Sequence, residues 1–76
     1  MTFILAGNYQ QYETFCHRNM VPRNEVHYLN RAEQLRGLRG AHIICIGTFY
    51  KTKLWKSDMM MLVKNRPEMA TLHYTN

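Results

Sequence analysis

The chain has 76 residues, with 10 Lys and Arg against 5 Asp and Glu, a net charge of +5, and 46% hydrophobic residues. That length holds one small α/β domain spanning residues 1–76, and a domain of this size buries only about 60% of the surface its unfolded chain exposes. The hydrophobic content is too high for a disordered chain. No apolar run approaches the ~20 residues that a membrane-spanning helix needs, and the two cysteines, Cys16 and Cys45, are too few for a disulfide framework. Both sit in apolar patterns and read as buried free thiols.

Residues 2–6 form a continuous apolar run of strand formers that runs directly into a polar segment. It lacks the basic start of a signal peptide, so it reads as a first strand, and cytoplasmic localisation is expected. Asn8 is placed to cap a helix over 9–19, with Tyr12, Phe15, Cys16 and then Met20 at helical spacing. Residues 21–24, including Pro22, break it. Residues 25–29 predict a second strand, and Asn30 then caps a short helix whose buried stripe is Ala32, Leu35 and Leu38. Glu33 lies where it would return a capping-box bond, and Gly37 and Gly40 end the helix.

Residues 41–47 are apolar, rich in β-branched side chains and closed by glycine, which predicts a third strand. A looser stretch over 48–56 follows, and Ser57 caps a helix from 58 to about 66 that Pro67 stops. Residues 70–74 are a candidate fourth, edge strand. The order β-α-β-α-β-α implies a small three-layer parallel sheet with right-handed crossovers and strand order 2-1-3. The reversal beside strand 1 opens a crevice at the carboxyl ends of strands 1 and 3, where Gly7, Asn8, Gly47 and Thr48 would face each other. This is the expected ligand site, suited to a phosphate or nucleotide. The plainer reading of these glycines is that they are turn devices.

Two further groups carry candidate chemistry. In 48–56, Tyr50, Lys51, Lys53, Trp55 and Lys56 interleave cations with rings, as single-stranded nucleic-acid sites do. The plainer reading is that the rings pack on the sheet while the lysines stay in water. Met59, Met60 and Met61 span most of a helical turn, so at least one faces outward and could form an apolar contact patch with Trp55. The four histidines, His17, His27, His42 and His73, have no metal-ligand spacing, so no metal or other cofactor is expected. No nucleophile, base and orienting group form a recognisable catalytic signature, and no enzyme activity is expected.

The runs Phe3 to Asn8, Val26 to Leu29, Leu35 to Gly40 and Ile43 to Thr48 together resemble small bacteriophage proteins, actinobacteriophage-like, with a half-Rossmann pattern. The resemblance covers residues 3–50. It implies expression in a bacterial host and a role in modulating host or phage processes, and it supplies no functional residues. The expected function is a non-enzymatic interaction module that binds a host or phage protein or associates with itself. The alternatives are a nucleic-acid-binding protein using the 48–56 loop and a nucleotide or phosphate sensor at the crevice.

Overall fold

The computed structural model describes residues 1–75. Its sheet contains β1 (Thr2–Leu5), β2 (His27–Tyr28), β3 (Ala41–Cys45) and β4 (Ala70–Tyr74), all parallel, in the order β2-β1-β3-β4. The fold is therefore a small α/β domain of Rossmann-like arrangement, and the candidate fourth strand extends the sheet beyond β3. Helix α1 (Tyr9–Arg18) connects β1 to β2, and α2 (Asp58–Lys64) lies between β3 and β4. Right-handed crossovers place α1 on one face and α2 on the other, because the chain reverses direction across the sheet after β2.

Two cores follow. On one face Phe3, Leu5, Ile43 and Cys45 pack against Leu35, Met60 and Val63. On the other Ile4, Ala6 and Ile46 pack against Tyr12 and Cys16 of α1. The central strand is buried on both faces, which is why it reads as an unbroken apolar run. The chain stays paired beyond the strand ends, since the Leu29 amide donates to Ile4 O and the Ile46 amide to Leu5 O, both at 2.9 Å.

The helix ends follow local chemistry. Asn8 accepts from the Gln11 amide at 2.9 Å, and the Ser57 hydroxyl accepts from the Met60 amide at 3.2 Å. At the far end of α1, Val21 N–H donates to Cys16 O and Met20 N–H to His17 O, a Schellman closure. Its left-handed position is held by Met20, φ 53°, where glycine is the usual residue.

Two elements differ from the sequence expectation. The second strand is shorter than 25–29, because a 3₁₀ turn over Arg23–Glu25 takes up its first residue. The second helix is a single 3₁₀ turn, Ala32–Leu35, capped at Arg31 rather than Asn30. Gln34, not Glu33, makes the return bond: its Oε1 accepts from the Asn30 and Arg31 amides, each at 2.9 Å, and its Nε2 donates to Tyr28 O at 3.0 Å. Gly37 and Gly40, φ 66° and 65°, then turn the chain directly into β3.

Candidate functional site

The strand reversal brings Gly7, Asn8, Gly47 and Thr48 together, as the pattern of the sequence predicts. What occupies the space between them is Gln11. Its Oε1 accepts from the Gly7 amide at 2.8 Å and the Thr48 amide at 3.1 Å, and its Nε2 donates to Thr48 Oγ1 at 3.0 Å. Both glycines make room for this carboxamide. A Cβ on Gly47, where φ is 56°, would collide with Gln11 Oε1, and one on Gly7 would collide with Thr48 Oγ1 and lie 2.6 Å from Gln11 Oε1. Two of the backbone donors that would face an anion, the Gly7 and Thr48 amides, are thus already paired. Beside the latch, between α1 and the ends of β3 and β4, lies an open recess of about 680 Å³ lined by Gln11, Phe15, Arg18, Ile46 and Thr75.

The 48–56 segment folds as a 3₁₀ turn, Phe49–Lys51, followed by tight turns pinned by Thr52, which donates to Phe49 O at 2.8 Å and accepts from the Trp55 amide at 3.1 Å. Phe49 meets Trp55 edge-on at 4.9 Å and Tyr74 at 5.9 Å. The Lys64 ammonium lies 3.6 Å from the centre of the Trp55 ring and donates to Trp55 O at 3.2 Å. The Trp55 ring is therefore engaged within the fold. Tyr50, Lys51, Lys53 and Lys56 are exposed. On α2, Met60 is fully buried, Met59 half-buried, and Met61 is the outward member at 55% exposure. The methionine run thus supplies one core residue and one surface residue, and Trp55 and Met61 are not joined by a continuous exposed stripe through Met60.

The structure adds a feature that sequence spacing does not reveal. Helix α1 covers its face only over β1 and β2. Over β3 and β4 the same face presents His42, Thr71 and His73 exposed and Ile44 half-buried. In register, Thr71 lies beside His42 and His73 beside Ile44, so His42 and His73 are diagonal neighbours. His42 Nδ1 and His73 Nε2 are 3.0 Å apart. A histidine inside the apolar β3 run was the local sign of an uncovered strand face, but its partner lies on another strand.

Cys16 and Cys45 are free and buried on opposite faces of the sheet. Burial pushes the Cys45 thiol up to about 11, against a weak opposing pull from Lys64. Folding therefore favours the neutral thiol. Its contribution is complete below the unfolded value near 9 and is lost as pH rises from about 9 to about 11, up to roughly 2–3 kcal/mol. Burial raises Tyr12, Tyr28 and Tyr74 as well, which adds to the alkaline loss. Urea midpoints are expected to fall between about pH 8 and pH 10.5. The fall should be shallower in Cys45→Ala, and an equal slope in both proteins would refute the assignment to Cys45.

Among the described residues no three His, Cys, Asp or Glu side chains converge, and no helix is long and apolar enough to cross a membrane. The bacteriophage resemblance rests on the sequence pattern alone. No protein-family model, curated protein or solved structure matches the chain.

Proposed function

We propose that the chain is a non-enzymatic interaction module that associates with a second copy of itself through the edge of β4. One observation carries this reading: the two sheet edges are treated differently. β2 is only two residues long, and brevity is a common protection for an edge. β4 has five residues, Ala70–Tyr74, with no charged side chain, no proline and no bulge against β3. Unprotected edges of this kind pair with other strands.

The hydrogen-bond alternation defines how. Thr75 N–H donates to Cys45 O at 3.1 Å and Met69 O accepts from the Ala41 amide. The odd-numbered residues of the strand thus face β3, and Leu72 and Tyr74 direct their backbone groups outward. A two-fold axis at Leu72 pairs each β4 antiparallel with the other, Leu72 opposite Leu72. The sheets become one, and their open faces lie side by side.

Sedimentation equilibrium is expected to show a dimer at high-micromolar concentration. Thr71→Lys, at an exposed position, brings two like positive charges to diagonal positions on the same face of the junction, each across from His73 of the other copy, and should leave a folded monomer. A monomeric wild-type protein, or a dimer unaffected by Thr71→Lys, would overturn the proposal.

Nucleic-acid binding is the second reading, favoured by the exposure of Tyr50, Lys51, Lys53 and Lys56 in one segment. It ranks lower because Trp55 is held under Lys64 and packed on Phe49, which leaves Tyr50 as the exposed ring for stacking. A nucleotide at the crevice would have to displace the Gln11 carboxamide.

A further inference from the structure

We propose that His42 and His73 form a two-ligand site for a borderline divalent transition metal, Cu²⁺ or Zn²⁺, on the open face of the sheet. The inference rests on the register of β3 and β4 and not on self-association. Imidazole is a preferred ligand of both ions. The two facing nitrogens, His42 Nδ1 and His73 Nε2, are 3.0 Å apart. Two nitrogens bound at 2.0–2.1 Å are separated by roughly 2.9 Å when they are cis in a square plane and by about 3.3 Å on a tetrahedron. The observed gap lies between these values.

The pair is held at the backbone. His42 lies on β3 and His73 on β4, and the five-residue parallel register fixes their Cα positions. The His42 amide donates to Met1 O at 2.9 Å, which ties the same residue to the chain next to β1. Two neutral imidazoles that share one proton leave one nitrogen as donor and the other as acceptor. For an ion to bind, the donor ring takes its other neutral tautomer, its proton passing through solvent to the outward nitrogen, so that both facing nitrogens offer a lone pair and both rings stay neutral. The ring centres are 5.2 Å apart, so the nitrogens point nearly at each other, and each ring must turn by roughly 35–45° off that line for the lone pairs to converge on one ion. Both side chains are exposed and no helix covers them, which leaves the solvent side open for that turn. With two protein ligands the ion keeps water in its remaining positions, which makes the site exchangeable.

The test uses the untagged chain and calorimetric titration with CuCl₂ and ZnCl₂, with thermal melts as a folding control. Wild-type protein is expected to bind one ion per chain, and His42→Ala and His73→Ala should each weaken binding at least about tenfold, the loss of one of two ligand bonds. Both variants should melt as folded proteins because both side chains are exposed. The double variant His17→Ala/His27→Ala removes the other two histidines, both exposed, and should bind as wild type does. Imidazole NMR signals of His42 and His73 should shift or broaden together with metal. Absent saturable binding in the wild type, binding that survives in both His42→Ala and His73→Ala, or binding lost in His17→Ala/His27→Ala would each overturn the proposal.

Discussion

Gly47→Ala is expected to destabilise the fold by about 2–5 kcal/mol, of which about half or more depends on Gln11. The substitution has two separable costs. An alanine at φ 56° bears the left-handed penalty, roughly 1–2 kcal/mol. Its Cβ would also collide with Gln11 Oε1, so the carboxamide must leave. The Gly7 and Thr48 amides then lose their acceptor, at about 1–3 kcal/mol for partly buried donors. Gln11→Ala alone incurs the second cost without the first. In the Gln11→Ala background, Gly47→Ala should therefore cost only the conformational penalty. A double-mutant cycle from urea melts should show coupling of about 1–3 kcal/mol. Additivity within about 0.5 kcal/mol would show that Gln11 does not latch the crevice. Gln11→Glu keeps an acceptor oxygen near both amides and separates the loss of the hydrogen bonds from the loss of the side chain.

The second large effect is expected at Leu35. This side chain is fully buried, yet it sits in a one-turn 3₁₀ helix that fastens the β2–β3 crossover to the sheet. Leu35→Ala should cost about 2–5 kcal/mol through lost burial and an unfilled cavity. A domain of this length has a total stability of only about 4–11 kcal/mol, so the variant is expected to populate unfolded chains at room temperature. Circular dichroism with urea titration reads this directly. If Leu35→Ala shifted the midpoint no more than the exposed substitution Leu62→Ala, the crossover would be anchored elsewhere. Gln34 would be the next residue to test, since its carboxamide closes the same turn.

The parts of the fold that were legible in the sequence are those where one local signal matches one structural demand. β1 and β3 are buried apolar runs, Asn8 and Ser57 are helix caps, and Pro67 lies beyond a helix end. From these the parallel order and the reversal beside β1 follow by handedness. The second crossover was misread because Asn30 and Glu33 carry the spacing of a capping box, while Gln34 makes the bonds and two left-handed glycines prevent a second turn. The crevice residues were legible as strand ends, but Gln11 was not. Its bond to the Gly7 amide is local, whereas those to Thr48 exist only once β3 lies beside β1. The His42–His73 pair was hidden for the same reason. Their juxtaposition is a property of strand register, and no sequence interval encodes it.

The position of β1 also has a consequence for how the chain is made. A parallel strand cannot close with its neighbour through a tight hairpin, so each pairing waits for an intervening crossover. Thr2 finds its register only beside His42, and Ala41 only beside Ala70. During vectorial synthesis Phe3, Ile4 and Leu5 therefore emerge long before both their neighbours exist, as a short apolar segment with two unpaired sides. Pairings this distant form slowly and leave partly made chains prone to aggregation. For a nascent chain the hazardous interval ends when β3 docks. β4 follows β3 in the chain and extends a sheet whose inner strand β1 is made before either of its neighbours.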